Sequence, residues 1–343
     1  MNAAAKPYDG QNKYIRITDI DETSSTYNNE DVVSPDGTLS ENYMVNERDI
    51  LLARTGASTG KSYLYRKSDG KLYFAGFLIR ANVAEHNPYF VFSQLHTHRY
   101  WRWVSIMSAR SGQPGINSQE YASFPIFTTT LIEENKISTL LSLIDERIAT
   151  QNKIIEKYKS LIKGIAQHCI KESISGITYV KLGDICKITT GKLDANAQVD
   201  NGIFPFFTCA EQPFKIDNFA FDTEALLISG NGANLGYINY YKGKFNAYQR
   251  TYVLDLFSEN IQYIKWALKV LLPKRIAIEK SSSNTPYIVL STLTDLRLPI
   301  PSRGEQSFIA NLMQSLERKL SNQIAQYDSY NYLKQYLLRQ MFI

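Results

Sequence analysis

Two stretches of the chain repeat apolar side chains at alternating spacings of four and three residues. The first is Ile137, Leu141, Ile144, Ile148, Gln151, Ile155, Tyr158, Ile162 and Ile165, and the second is Ile309, Met313, Leu316, Leu320, Gln323, Tyr327, Tyr330, Lys334 and Leu337. A mean spacing of about 3.5 residues keeps one stripe of a helix facing a partner helix. The pattern predicts two long helices that pair as a coiled coil. Two amphipathic helices that each pack on their own domain are the alternative.

The two predicted helices begin with the same signal. Thr130 with Glu133 and Ser302 with Glu305 form capping boxes, in which the hydroxyl accepts from a free N–H and the glutamate reaches back to the N–H of the cap. Residues 172 apart also match along both helices, and residues 51–60 match residues 227–236. An internal repeat of this kind predicts a duplicated unit.

The repeat divides the chain into four parts. We expect a globular region at 1–129, a spacer helix at 130–176, a second globular region at 177–301 and a second spacer helix at 302–343.

Both globular regions are rich in strand signals. Residues 72–83 and 245–256 are dense in aromatic and β-branched side chains, whereas residues 261–272 are apolar at helical spacing and residues 89–107 are a second helix candidate. The predicted fold class is α+β, with two β-rich regions separated by two long helices and a pseudo-twofold internal repeat.

Composition narrows the functional classes only slightly. The net charge of +5 permits a polyanionic partner without requiring one. The three cysteines, Cys169, Cys186 and Cys209, are too scattered for a disulfide framework and fit a reducing cytoplasm. No run of 18 apolar residues occurs, so we expect no membrane association, and the N-terminus lacks the apolar stretch of a signal peptide.

Two glycine-rich segments imitate cofactor loops. Gly56 and Gly60 are separated by three residues, where a P-loop has four, and residues 230–236 miss the dinucleotide-binding spacing by one. Because the segments are related by the repeat, one shared role explains both, namely a tight turn that brings backbone and short polar side chains close to a ligand. Nucleotide binding at Gly56 is the alternative.

No pattern of catalytic or metal-binding residues stands out. The histidines are His86, His96, His98 and His168, and no third ligand with metal-site spacing accompanies the pair at 96 and 98. The sequence predicts no catalytic residue, no metal and no cofactor.

Several motifs, in duplicated order, resemble the specificity subunits of type I restriction-modification systems. They are residues 14–20 (YIRITDI), 111–117 (SGQPGIN), 181–185 (KLGDI), 298–301 (LPIP) followed by Glu305 and Gln306, and the paired glycine segments. The resemblance covers essentially the whole chain. It implies two target recognition domains held apart by two conserved, antiparallel helices. Each domain would read one half of a split, asymmetric site in double-stranded DNA.

The resemblance also implies the partners. Two methylation subunits would bind this chain and modify adenines, and restriction subunits would join through the complex, so the chain itself would catalyse nothing. The sequence agrees, because we find neither a methyltransferase motif of the Asn-Pro-Pro-Tyr type nor a true P-loop.

One departure concerns the start of the first region. Residues 204–207 correspond to residues 14–17, which places Met1 near Gly191 and leaves residues 179–190 without a counterpart. We therefore expect the first recognition domain to be truncated at its N-terminal edge.

Loop residues are the candidates for reading DNA, because Asn and Gln can bond adenine bidentately and Arg can bond guanine. In the first region they are Arg54, Thr55, Ser58, Lys61, Arg110, Ser111, Gln113 and Asn117. In the second region they are Ser229, Asn231, Asn234, Gln249, Arg250, Lys280, Ser282, Ser283 and Asn284. The alternative is that Asn and Ser only shape turns.

Gln151 and Gln323 hold the same heptad place near the middle of their helices. In an antiparallel pair the two amides should face each other and hydrogen-bond, fixing the register of an otherwise apolar seam. A coiled-coil partner of methyltransferase subunits that has lost DNA binding through the truncation remains the rival function.

Overall fold

The computed structural model describes residues 1–109, 113–171, 178–279 and 287–342. The chain forms two compact units. The first unit comprises Met1–Ile154 and Gln323–Ile343, and the second comprises Ile155–Asn322. Each unit therefore combines one globular region with parts of both long helices.

Short strands and helices form the globular part of the first unit. The strands are β1 (Ala4–Pro7), β2 (Lys13–Ile15), β3 (Val33–Asp36), β4 (Asp49–Ala53), β5 (Ser62–Leu64), β6 (Leu72–Phe74) and β7 (Leu78–Asn82). The helices are α1 (Pro88–Gln94), α2 (His98–Met107) and α3 (Ser118–Ala122), and the chain continues into α4 (Leu131–Lys171). The described strands pair as β1-β3, as a parallel β2-β6 pair and as a sheet in the order β5-β4-β7.

The second unit has a larger sheet. Its elements are β8 (Thr178–Lys181), α5 (Leu182–Ile185), β9 (Lys187–Thr190), β10 (Phe204–Phe207), β11 (Phe214–Ile216), β12 (Phe221–Ser229), β13 (Ile238–Ala247), β14 (Thr251–Asp255), α6 (Ile261–Glu279), α7 (Leu290–Thr294), β15 (Arg297–Ile300) and α8 (Arg303–Met341). Six strands follow the order β11-β10-β13-β12-β14-β9, and β8 pairs with β15.

The predicted local elements are present. Residues 72–83 form β6 and β7, and residues 245–256 form the end of β13 and all of β14. The helix predicted at 261–272 continues as α6 to Glu279, although Pro273 lacks the N–H of a helix interior. Residues 89–107 form two helices, because Thr97 caps α2 by accepting from the N–H of Tyr100.

The long helices are antiparallel within the first unit. Asp145 of α4 pairs with Lys334 of α8 at 2.6 Å, and further along α4 Gln151 bonds Gln323, so the residue numbers on α8 fall as those on α4 rise. Leu141 packs near this end in a cluster with Leu338. The predicted pairing of the two helices is confirmed.

In the second unit the helix seam merges with the core of the domain. Ile162 and Ile170 of α4 and Met313 of α8 belong to the same buried cluster as Ile264 and Leu268 of α6. The alternative considered for the helices, packing on their own domains, is therefore also realised here.

The predicted helix starts are present as well. Ser302 N–H donates to Glu305 Oε2 at 3.1 Å, and Glu305 N–H donates to Ser302 Oγ at 3.3 Å. At the start of α4 one of the two predicted capping bonds forms: Thr130 Oγ1 accepts from Glu133 N–H at 3.3 Å, whereas Glu133 Oε2 lies 3.4 Å from Lys136 Nζ.

The N-terminal residue takes the place that Leu193 has in the second unit. Gly76 N–H donates to Met1 O at 2.8 Å, and Gln249 N–H donates to Leu193 O at 2.9 Å. The alignment near Gly191 is thus shifted by two residues. Elements β8, α5 and β9 have no counterpart among the described residues of the first unit.

Candidate nucleic-acid interface

The two glycine loops, defined as residues 54–61 and 230–237, have the same backbone hydrogen bonds. In each loop, the N–H of the last glycine donates to a carbonyl at the end of the preceding strand. Two further hydrogen bonds join residues three apart within the loop. In the first unit the bonds run from Gly60 N–H to Ala53 O (3.0 Å), from Thr59 N–H to Gly56 O (3.1 Å) and from Lys61 N–H to Ser58 O (3.0 Å). The matching bonds of the second unit, in the same order, run from Gly236 N–H to Ser229 O (2.8 Å), from Leu235 N–H to Gly232 O (3.2 Å) and from Tyr237 N–H to Asn234 O (2.9 Å).

A second strip of chain lies beside each loop. In the first unit Ile116 N–H donates to Arg54 O at 2.9 Å, and in the second Ile288 N–H donates to Gly230 O at 3.0 Å. We call residues 113–117 and 287–289 the opposing segments. The opposing segments lead directly into α3 and α7. Together with the glycine loop beside it, each segment forms a surface made of two neighbouring stretches of chain.

The last glycine of each loop has no room for a side chain. Gly60 has φ +93°, and a Cβ there would lie 2.7 Å from Val104 of α2. Gly236 has φ +80°, and a Cβ there would lie 2.6 Å from Ile276 of α6. Glycine is therefore required by backbone angle and by close packing in both units. The predicted glycine-shaped turn is confirmed as a structure.

Two buried tyrosine hydroxyl groups form hydrogen bonds with the backbone at the ends of the first glycine loop. Tyr100 Oη donates to Gly60 O at 2.8 Å, and Tyr121 Oη donates to Ala53 O at 2.6 Å while accepting from Gly60 N–H at 3.1 Å. Burial raises the pKa of Tyr121 to about 12, so its proton stays available for the bond to Ala53.

Candidate residues of the first unit differ in availability. Arg54 and Gln113 are exposed, and Thr55 and Ser58 are half-buried. Asn117 is exposed but caps α3, where its Oδ1 accepts from Glu120 N–H at 2.9 Å. Arg110 and Ser111 lie outside the described residues.

Lys61 has a partner that the sequence pattern did not indicate. Its Nζ lies 2.5 Å from Oε1 of Glu22, in the loop that follows β2. The side chain of Lys61 is 18% exposed and that of Glu22 is 80% exposed. The Lys61 side chain is thus mostly covered, and Glu22 is the exposed member of the pair.

In the second unit Asn231 and Asn234 are both tied to Cys209. The Cys209 thiol donates to Asn231 Oδ1 at 3.0 Å, and Asn234 Nδ2 donates to Cys209 O at 3.1 Å. Cys209 follows β10 as Glu22 follows β2. Sequence reasoning missed both residues, because their loops contact the glycine loops only after folding.

The remaining candidates of the second unit differ in solvent exposure. Gln249 and Arg250 are exposed on the turn between β13 and β14, whereas Ser229 is 2% exposed at the end of β12. Lys280, Ser282, Ser283 and Asn284 lie outside the described residues.

The first glycine loop does not have the geometry of a P-loop. A phosphate-binding loop opens a helix, whose N-terminal N–H groups bind the anion. Here residues 56–58 form a single 3₁₀ turn, and the chain then enters β5. Among the described residues no group of three or more His, Cys, Asp or Glu side chains is placed to bind a metal, and no helix is both long and apolar enough for a membrane span.

Comparison with known proteins finds a family for the second globular region. Residues 174–327, which include the second glycine loop and its opposing segment, match the family model of the type I restriction modification DNA specificity domain. The matched part of the chain comprises the second globular region and the first part of α8. The specificity subunit of the Escherichia coli type I restriction enzyme EcoDI is 44% identical over 137 residues, which are 40% of this chain and 30% of that protein.

More distant relatives of the family extend the likeness. A putative type I specificity subunit of Mycoplasma genitalium is 24% identical over 238 residues, covering 63% of this chain and 61% of that protein. The chain thus spans less than two thirds of the length of both curated relatives. The crystal structure of a type I S subunit from M. genitalium superposes with a TM-score of 0.69 at 18% identity, covering 99% of this chain and 90% of that one. This likeness establishes the fold.

Proposed function

We propose that this chain is the DNA sequence-specificity subunit of a type I restriction-modification complex and that it binds a bipartite, asymmetric site in double-stranded DNA. One observation carries the proposal. The two glycine loops share their backbone bonds but present different side chains at equivalent positions. The pairs are Arg54 and Gly230, Thr55 and Asn231, Ser58 and Asn234, and Lys61 and Tyr237.

Equal scaffolds with unequal side chains suit two reading heads of different specificity. Sequence is read by hydrogen bonds to base edges, which depend on the side chains that a loop presents. A duplicated loop with identical side chains would favour two identical half-sites. The differences at four positions favour an asymmetric target with unread base pairs between its halves.

The exposed polar residues support a nucleic-acid ligand. Arg54 in the first glycine loop and Gln113 beside it are exposed, as are Gln249 and Arg250 beside the second glycine loop. Arg suits guanine and Gln suits adenine, and either can contact phosphate. The net charge of +5 adds a favourable, salt-dependent term.

The helices support a scaffolding role for two methylation subunits, through which restriction subunits would join. Leu161 of α4 is 49% exposed and Leu333 of α8 is 41% exposed. The two leucines are related by the internal repeat and lie in different units. Two exposed leucines at equivalent positions of the repeat suit contacts with two copies of one partner.

We assign the chemistry to those partners and no catalysis to this chain, which would act with the DNA in the cytoplasm. Purified protein should transfer no methyl group and hydrolyse no ATP. Turnover by homogeneous protein would contradict the assignment.

DNA binding is tested by fluorescence anisotropy, with and without the methylation subunit, at several salt concentrations. We expect binding by the complex that weakens steeply with salt, and weaker binding for Arg250→Ala. The control is Lys6→Ala, which removes an exposed cation on β1. A complex that assembles normally but does not bind DNA would favour the rival function, a structural partner that has lost DNA binding.

A further inference from the structure

Glu22 lies beside the first glycine loop, in a loop that has hydrogen bonds of its own. Its own loop is a tight turn in which Asp21 Oδ1 accepts from Thr23 N–H at 3.1 Å and from Ser24 N–H at 2.7 Å. His96 Nε2 lies 3.0 Å from Ser25 Oγ, which attaches the loop to the turn between α1 and α2. These bonds hold the backbone of the loop, and the contact to Lys61 places the 80% exposed carboxylate of Glu22 beside the glycine loop.

In the second unit the loop after the equivalent strand also contacts the glycine loop, through a different residue. Cys209 follows the parallel strand β10, as Glu22 follows β2, and it contacts the second glycine loop through Asn231 and Asn234. The candidate reading surface of each unit therefore has three strips: the glycine loop, the opposing segment and the loop after the first parallel strand.

The charge of Glu22 restricts what it can contact on DNA. A carboxylate is repelled by phosphate, so it does not contribute to affinity for the backbone. A carboxylate is a hydrogen-bond acceptor, and the pairing that suits it in the major groove is with the exocyclic amino group of cytosine. Lys61 lowers the cost of bringing this charge to DNA, because the ammonium remains 2.5 Å from the carboxylate.

We propose that Glu22 is a specificity-determining residue that accepts a hydrogen bond from the N4 amino group of a cytosine in the half-site read by the first unit. The inference rests on the proposed function. It adds a base-reading residue outside the glycine loops and assigns Lys61 to positioning Glu22 instead of to binding phosphate.

The test is selection of DNA from a randomised pool by the complex of this chain with its methylation subunit, followed by sequencing. The parent is compared with Glu22→Gln, and Glu30→Gln is the control, because Glu30 is another exposed glutamate of the first unit. Glu22→Gln should relax the preference for cytosine at one base pair of one half-site by roughly tenfold. The other positions, and the whole target of Glu30→Gln, should stay as in the parent.

The outcomes separate this inference from the proposed function. If the parent complex selects no recurring sequence, the proposed function fails. If the parent selects a target and Glu22→Gln selects the same one, Glu22 does not read a base. Uniformly tighter binding of Glu22→Gln to all sequences would also overturn the inference, because it would show that the carboxylate only repels DNA.

Discussion

Gln151 Nε2 donates a hydrogen bond to Gln323 Oε1 at 2.7 Å and to Gln323 O at 2.9 Å, between α4 and α8 within the first unit. Gln151 is 6% exposed in a seam whose other members are mostly apolar. A single polar layer of this kind typically lowers stability and restricts the register of a helix pair.

The glutamine pair predicts opposite effects for single and double substitutions. Gln151→Leu should lower the free energy of unfolding by about 1 kcal/mol, because Gln323 loses its donor, whereas Gln151→Leu with Gln323→Leu should raise it above that of the parent. Urea unfolding of both single variants and the double variant completes the cycle. A double variant no more stable than the parent would argue against a polar layer that costs stability.

Two glycines should respond to alanine with opposite signs. Gly60→Ala should lower the free energy of unfolding by about 1–3 kcal/mol, because the methyl group would meet Val104 and the backbone φ is +93°. Gly164→Ala should raise it by about 0.5–1 kcal/mol, since Gly164 lies within α4 with nothing near its Cβ position. Thermal unfolding measures both, and equal effects would show that Gly60 is not specially constrained.

The free energy of unfolding should decrease at acidic pH because of the buried residue His96 in the first unit. Burial lowers the pKa of His96 to about 4, below its ordinary value of about 6.5. Between about pH 4 and pH 6.5, His96 is neutral in the folded protein and takes up a proton on unfolding. The free energy of unfolding is therefore at its full value above about pH 6.5 and decreases as the pH falls towards about 4. His96→Leu removes the titrating group and should flatten this dependence of the free energy of unfolding by on the order of 2 kcal/mol.

The measurement is urea unfolding from pH 7 to pH 4, with His98→Leu as the control because His98 is exposed at the start of α2. The parent and the control should lose stability more steeply than His96→Leu. Identical slopes for all three proteins would show that His96 does not take up the proton.

Regular patterns in the sequence were enough to predict the two long helices and the two glycine loops. The 4-3 repeat specified which face of α4 and α8 is buried, and the glycine spacing identified two turns whose backbones match. The sequence did not reveal that one strand, β13, corresponds to two strands, β5 and β6, in the first unit. The turn at Lys67–Asp69 separates them, and Asp69 accepts from Tyr63 Oη at 2.6 Å.

Contacts between distant loops could not be predicted in the same way. The pairs Lys61 with Glu22 and Asn231 with Cys209 depend on how separate strands come together, and no local spacing encodes them. The burial of Ser229 has a similar origin, because β12 extends to that residue and removes its side chain from the exposed loop.

We propose that the two globular regions read separate halves of one DNA site. Exchange of residues 179–301 for the second recognition region of another family member tests it most directly. The parent and the exchanged chain are each expressed with the methylation subunit, and methylated adenines are mapped across the genome. We predict a split target of which one half changes and the other stays the same. A change in both halves, or in neither, would contradict the account.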